Sequence, residues 1–591
     1  MRNWFERLNP RRAAAFSHKA LLATLFVATL SATACSDLYA AYGKYWDTGP
    51  DSSRIVIAIT GDGYTISQQT QFGSDAATVA DAILSTSPWS TFANSINVYI
   101  IGAISSQSGA DKPWMGQYVN TIFDGAYGFG GAQQCLTVDY GKVTTYLNNA
   151  LQKYDVVVVT VNDAAYGGSG HNAAVTSNHS AMTDIALHEL GHTFAGLEEE
   201  YEGNVGPYAG PEPVSPNVTT VTNPALIKWR AWISPTTPIP TTPPLMYPNQ
   251  VGLFQGGFTF SLGVYRPMLD CKMRNIGSQF CSVCKEAHMM RAHSMAPLVD
   301  FTAPLDGPVN IAEVMPFLAP GIGWQYLQRT WKLDNTQIST ADSVTIHPAD
   351  VAVPFSVLDL NVVDNTPLVK SYPLPSQAHQ WKLVPRVMPA NSIAELKYLQ
   401  PAFVRASGVV SAVFPDHFYV QDDNRAGAVK VYPYDGTLPN VGDTVTLCGK
   451  REANSLNLTI TSCKWTTQPG SSSPPRPMGM NNQALGGRAC GLQHGPGFGA
   501  HNVGLLVRTF GRVAVVGPGG TWMTIDDGTP FRTDVDGHPG TRVYGNSMAQ
   551  YANRYVCVTG ICAVDESHPS GPFPAAIRTR GAADIVAVSE D

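Results

Sequence analysis

His188 and His192 stand four positions apart in the stretch HELGHTFAGLEEEY, residues 188–201, with Glu189 beside the first of them. On a helix, side chains at that spacing project from one face, so both imidazoles can reach a single metal ion. Glu189 is placed to polarise a water that the metal activates while staying out of the ligand set. Two histidines do not complete such a centre. A catalytic zinc takes three protein ligands and keeps a fourth position for water. Gly196 would end the helix in a left-handed turn, and the reversal would bring the carboxylates of Glu198, Glu199 and Glu200 back towards the metal.

The metzincin spacing HExxHxxGxxH places its third ligand three residues after the turn glycine. Counting three from Gly196 gives Glu199, with Glu200 and Glu198 as the alternatives. Upstream, SAMTDIAL at 180–187 supplies Ser180, Thr183 and Asp184 as polar candidates for the helix start. Ile185, Leu187, Leu190 and Phe194 supply an apolar side to bury. An HExxH arising by chance on a solvated helix face is the plainer reading, and the acidic turn together with the apolar side weighs against it.

The elements that must position this helix can be read on either side of it. RIVIAIT (54–60), INVYIIGAI (96–104) and DVVVVTVND (155–163) are β-rich apolar runs expected as buried strands, and residues 74–85 and 142–154 carry helical spacing. AYGGSG at 165–170 precedes the metal helix. An edge strand there would hold an extended substrate by main-chain hydrogen bonds, which makes Tyr166, Gly167 and Gly168 the substrate-binding candidates; a flexible loop is the alternative. Beyond Tyr201 a stretch rich in Pro, Gly and Thr reads as a cleft wall. Met273, in YRPMLDCKMRN, is expected as a hydrophobic floor under the metal, like the Met-turn of metzincins, or else as a core methionine.

The chain has 591 residues, 44% of them hydrophobic and 14% charged, with a formal net charge of −7. That is enough apolar content for several cores, and the mild charge gives no reason to expect nucleic acid as a partner. Arg2, Arg11, Arg12 and Lys19 precede the apolar run ALLATLFVATL (20–30), and Ala32 and Ala34 form a cleavage site before Cys35. Residues 1–34 therefore read as an export signal, so that the mature chain is secreted or attached to the cell envelope, a lipid anchor at Cys35 being the second variant. Among the ten cysteines, the Cys281-x-x-Cys284 pair could suggest a metal or redox site; without a second CxxC and in an exported chain, it is expected to contribute to a disulfide, with Cys271 as a further participant.

GDGYT (61–65), NVYIIGAISSQSGAD (97–111), TIFDGAYGFGG (121–131), VVVVTVNDAAYGGSG (156–170), HELGHTFAGLEEEY, YRPMLDCKMR and FCSVCKEA together resemble the bacterial IgA-peptidase family of zinc metallopeptidases. The resemblance covers about residues 54–295. It implies a zincin-like α+β catalytic domain, a Zn2+ cofactor held by His188 and His192, and Glu189 as catalytic base. Where that family shows Asp-Glu, this chain has Glu199-Glu200, so the resemblance implies a longer carboxylate as third ligand. It implies a peptidase acting on a protein or peptide, such as a host or surface glycoprotein, and does not select immunoglobulin A.

The expected organisation is multidomain: the catalytic domain at 54–298, then all-β domains. Short alternating runs at 299–390 suggest an immunoglobulin-like sandwich with a structural or spacer role. Val404–Asp423 and Val507–Asp527 align with one another, and the units 400–466 and 501–591 are expected as two OB-fold-like barrels joined by a linker at 467–500. Phe418, Tyr419 and Trp522 could offer a glycan face there or serve as core. The Asp pairs 422/423 and 526/527 read as turn residues rather than a calcium site. The expected function is a secreted or surface-attached zinc endopeptidase; the alternatives are an adhesin that binds glycan with an accessory zinc domain, and a zinc hydrolase acting on cell-wall amides.

Overall fold

The β-branched runs are strands buried on both faces, which is why they read as continuous apolar stretches rather than alternating ones. In the computed structural model, which describes residues 42–242, 249–452, 456–468, 473–490, 493–530, 533–567 and 573–588, they form a six-stranded sheet. Its strands are β1 (Tyr42–Trp46), β2 (Ile55–Asp62), β3 (Ile96–Ile101), β4 (Val156–Val161), β5 (Gly168–Gly170) and β6 (Ala174–Ser177). Their spatial order is β1-β3-β2-β4-β6-β5. The four central strands run parallel, and β1 and β5 lie antiparallel on the two edges. The export signal and Cys35 lie outside the described residues.

Four helices cover this sheet: α1 (Gln69–Ser85), α2 (Tyr140–Ala150), α3 (Met182–Ala195) and α4 (Ser282–Met295). Alternate residues of β2 go to opposite cores. Ile55, Ile57 and Ile59 pack with Phe72 and Ala76 of α1, Ala186 and Leu190 of α3 and Met289 of α4. Val56 and Ala58 pack on the other face with Val143 and Leu147 of α2. The metal-site helix α3 is thus clamped between sheet and helices. After it, β7 (Glu202–Val205), β8 (Phe254–Gly257) and β9 (Thr259–Arg266) form a small separate sheet.

Residues 307–385 form a five-stranded sheet, and Met315–Leu318 pairs with Ser343–Ile346 beside it. Its core, with Phe317, Trp331 and Trp381, is continuous with the first core through Trp324. The junction is specific. His293 at the end of α4 stacks on Trp324 with ring centroids 4.0 Å apart, and its Nε2 lies 2.8 Å from Asp364 Oδ2. Arg54 pairs with Asp300 at 2.8 Å, and the Glu286 carboxylate accepts the backbone N–H groups of Lys370 and Ser371. These contacts tie the all-β unit directly to the sheet-and-helix block, in keeping with the structural one of its two expected roles.

Two small closed barrels follow. In the first, strands Phe403–Val413, Phe418–Gln421, Ala428–Pro433, Thr444–Arg451 and Thr459–Thr467 pair in the order 1-2-3-5-4, and strand 4 closes back on strand 1. The second repeats the order with Leu506–Val516, Trp522–Asp526, Thr541–Tyr544, Tyr555–Val564 and Ala575–Arg578. The repeat extends further upstream than the aligned sequences: Met388–Pro389 and Met478–Gly479 each pair parallel with the first strand of their barrel. Within 467–500, then, at least Met478–Gly479 is part of a barrel edge. Asp422 and Asp527 also correspond, the first accepting the backbone N–H of Ile393 and Ala394, the second those of Asn482 and Thr529. Phe418 and Tyr419 are buried core residues, while Trp522 is half-buried under the Arg542 guanidinium.

The cysteines depart from expectation. Cys271, Cys281 and Cys284 are not joined by a disulfide but share one buried cluster.

Candidate metal centre

Helix α3 starts at Met182 with Ala181 before it, and no side chain caps that end, so neither Ser180, Thr183 nor Asp184 fills the capping role. Asp184 lies in the first turn and pairs with Lys272 Nζ at 2.7 Å. The other end follows the sequence closely. Gly196 adopts φ 64°, its N–H bonds to His192 O, and the N–H of Leu197 reaches back to Gly191 O. This is a left-handed helix stop that only glycine takes without strain.

The reversal delivers the acidic turn. Glu199 Oε2 lies 3.3 Å from His188 Nε2, Glu199 Oε1 lies 3.3 Å from His192 Nε2, and the two Nε2 atoms are 3.3 Å apart. Glu198 and Glu200 go elsewhere. Glu198 lines the cleft, with its backbone N–H on Asn217 Oδ1, while Glu200 is fully buried on the opposite side of the turn.

Both rings are oriented through their far nitrogens. His188 Nδ1 lies 2.9 Å from the Lys272 carbonyl and His192 Nδ1 lies 2.7 Å from that of Leu197. An Nδ1–H donated to a carbonyl leaves the Nε2 lone pair free for a cation. Arms of 2.0–2.1 Å from a tetrahedral ion to N or O ligands imply ligand–ligand edges of about 3.3–3.4 Å, the separations found here. Glu199 Oε2 is buried without an aligned hydrogen-bond partner, as a ligand oxygen would be. The donor set therefore fits a small borderline cation.

Burial opposes charge on all of these groups, yet the pair of imidazoles holds the Glu199 carboxyl down to about 2. Against the same burial, Glu199 and then Glu189 push His192 up to about 9, and His188 is raised as well. Glu189 is displaced the other way from Glu199. Burial raises its carboxyl, and neither imidazole contacts it closely enough to reverse that.

A cleft of about 860 Å³ opens over His188, Glu189, His192 and Glu199. Tyr166, Gly168 and Gly170 line one wall and Tyr201 another. β5 is the edge strand next to the cleft, and its glycines are sterically required. A Cβ on Gly168 would fall 2.8 Å from Glu189 Oε1, and one on Gly170 2.9 Å from Glu189 Oε2. Gly168 N–H donates to Gln134 O, so that position is already paired on its outer side. Gly167 does not line the cleft; it lies against the Tyr127 ring.

Met273 is fully buried below the helix, where a Cβ on Gly191 would come within 2.5 Å of its Sδ. Its carbonyl accepts the N–H of Glu200 at 2.8 Å, tying the acidic turn to the floor. Lys272 lies in the YRPMLDCKMR stretch but nothing there marks its role, and Asn217 lies in no motif. Lys272 acts through its backbone, its carbonyl orienting His188, and Asn217 through its side chain, Oδ1 accepting the N–H of Glu198 and Nδ2 donating to its C=O.

Comparison with known proteins gives the class of the segment that carries these residues, that of a metallopeptidase family. The family model described as IgA Peptidase M64 matches residues 44–246, which include β2 to β6, α3 and the acidic turn. It is that segment, about a third of the chain, that matches the IgA-peptidase family. No curated protein matches it. Among solved structures, a quinonprotein alcohol dehydrogenase-like protein from Bacteroides thetaiotaomicron is 9% identical over 29% of this chain and 39% of that one, with a TM-score of 0.12. This chain thus spans well under half of that structure. The SGBP-B protein of a Bacteroides ovatus mixed-linkage glucan utilization locus, in complex with a heptasaccharide, is 10% identical over 48% of this chain and 69% of that one, with a TM-score of 0.13.

Proposed function

We propose that this chain is an exported zinc endopeptidase of protein substrates, with His188, His192 and Glu199 as the zinc ligands and Glu189 as the general base. The observation that carries the reading is the triangle of 3.3 Å separations between the two Nε2 atoms and the Glu199 oxygens. Zinc, when bound, supplies Lewis acidity that brings the pKa of water towards neutrality and polarises a scissile carbonyl.

The chain's own residues supply the rest. Lys272 O and Leu197 O hold the two imidazoles in the tautomer that exposes Nε2. Glu189, raised by burial, accepts the proton of the attacking water and returns it to the leaving amine. Substrate lies extended past Tyr166 and the wall of the cleft that Gly168, Ser169 and Gly170 line. Tyr201, 39% exposed at the cleft, stands where a phenol could donate to a developing oxyanion. Its own ionisation is suppressed by burial and by the Glu199 charge, which keeps it a donor. The OB-like reading of the barrels is supported by their 1-2-3-5-4 strand order; we assign them to positioning the catalytic block or recruiting its target. Export rests on residues 1–34 and Cys35.

The test is zinc content together with cleavage of an unstructured protein such as casein, for the intact chain and for Glu189→Gln. Zinc in both with cleavage only by the intact chain supports the reading. Absence of zinc from the intact chain would sink the ligand assignment.

A further inference from the structure

Behind the acidic turn, on the side away from the cleft, four potential ligands converge. One atom each from Glu200, Cys271, Cys281 and Cys284 lies within 4.8 Å of every other, and all four side chains are buried. We propose that this cluster is a second metal site, a closed structural zinc centre with three thiolates and one carboxylate. It goes beyond the peptidase reading and does not depend on it.

Glu200 makes the strongest case. A fully buried carboxylate must be paired, hydrogen-bonded or metal-bound to be tolerated. Its Oε1 receives Asn217 Nδ2 at 3.0 Å and Cys284 Sγ at 3.1 Å, but Oε2 has no hydrogen-bond partner at all. Arg266, the guanidinium whose charge Glu200 feels, gives Nη1 to Glu202 Oε1 and the carbonyls of Gln255 and Gly256, and no hydrogen bond joins it to Glu200 Oε2. A cation between the carboxylate and the thiols satisfies what the protein leaves unsatisfied.

The sulfur geometry agrees. Cys271 Sγ and Cys284 Sγ are 3.7 Å apart, far beyond the roughly 2.05 Å of a disulfide and close to the ~3.75 Å edge of a tetrahedron with 2.3 Å zinc–sulfur arms. Cys281 caps α4, its sulfur facing the Cys284 N–H at 3.5 Å, and its own N–H points at Cys271 Sγ at 3.3 Å. Backbone N–H groups aimed at sulfur favour thiolate over thiol. Three sulfurs and one oxygen select zinc over hard cations, and four protein ligands with no solvent access leave no position for water, so the site is structural rather than catalytic.

Its place in the fold gives it a purpose. Glu200 follows the ligand Glu199, and Cys271 precedes Lys272, whose carbonyl orients His188. A metal here would staple the acidic turn to the segment that carries Lys272 and Met273.

The deciding experiment uses the full chain with His188→Ala and His192→Ala, which removes the first centre and leaves the cluster intact. After loading with Co2+, it is expected to retain one metal per chain and to show an intense near-ultraviolet thiolate-to-cobalt charge-transfer band. Adding Cys284→Ser should abolish that band. If the double-histidine chain holds no metal, with its thiols either free or recovered as a disulfide, the proposal is overturned whatever the fate of the peptidase reading. Zinc content of the unmutated chain provides a check that needs no variant: two equivalents support the second centre. A single equivalent that survives the histidine changes overturns the first centre instead, and one lost with them overturns this one.

Discussion

His192 Nδ1 lies 2.7 Å from the carbonyl oxygen of Leu197, five residues further on and beyond the end of its own helix. That bond closes only because Gly196 turns the chain back at φ 64°. The glycine therefore sets both the approach of Glu199 and the orientation of one imidazole.

Gly196→Ala tests this coupling without a steric confound, since a Cβ there would meet nothing within 4 Å. The left-handed conformation alone should cost about 1–2 kcal/mol. Metal affinity should fall along with the melting temperature. Calorimetric zinc titration checks it, and an unchanged affinity would disconnect the turn from the ligand set.

Separating ligand from base requires a set of isosteric changes. Glu189→Gln should retain zinc and lose about 10²–10⁴ in kcat, the usual share of a general acid–base group. Glu199→Gln should lose zinc itself, whereas Glu198→Gln should keep it. Metal analysis of the three variants checks the assignment, and zinc loss in Glu198→Gln but not in Glu199→Gln would reverse it.

The metal-free protein should show an unusual pH dependence. His192 is raised from 6.5 to about 9, so its contribution to folding is fully present below 6.5 and lost as pH rises through 9. His188 and Glu189, both raised, act in the same direction. Glu199, lowered from 4.5 to about 2, contributes above 4.5 and is lost as pH falls through 2. The melting temperature of zinc-free protein should therefore decline from pH 6.5 to 9. Zinc uptake at pH 7 should release protons and tighten with pH, because the ion displaces them from the imidazoles. Potentiometric titration during zinc addition measures this directly, and uptake without proton release would contradict it.

Met273 and Gly191 are expected to behave as a packed pair. Gly191→Ala forces a Cβ to 2.5 Å from Met273 Sδ and should cost about 1–3 kcal/mol, as overpacking does. Met273→Ala in the same chain should recover part of that loss. Denaturant unfolding of the single and double variants reads the coupling, and strict additivity would mean the two do not share the space.

The catalytic block should not be separable at the boundary the sequence suggests. A chain ended at residue 298 loses Asp300 from Arg54, Asp364 from His293 and the Trp324 indole from the shared core. It should be recovered in poor yield or unfold at lower temperature than a chain ended at residue 390. Equal stability of the two would make the all-β unit a separate body.

The sequence by itself determined the central strands, because β-branched runs buried on both faces have no other stable form. It also determined the imidazole pair and the helix stop, because i,i+4 spacing and a glycine are local physics. The match over 44–246 bears out the family that those motifs indicated. The helix start was not legible, since none of the polar candidates caps it and the N–H of Ala181 goes instead to His179 Nδ1. What only the tertiary structure decided is what lies far apart in the chain. Spacing could rank Glu198, Glu199 and Glu200, but the turn's attachment to Asn217 and Met273 is what sends one carboxylate to the histidines and buries the next among three thiols. Cysteine count could propose a disulfide, yet where each sulfur points depends on how α4 meets residue 271. Long-range packing chooses among partners that local sequence leaves equivalent, and that choice gives neighbouring glutamates, Glu199 and Glu200, opposite surroundings.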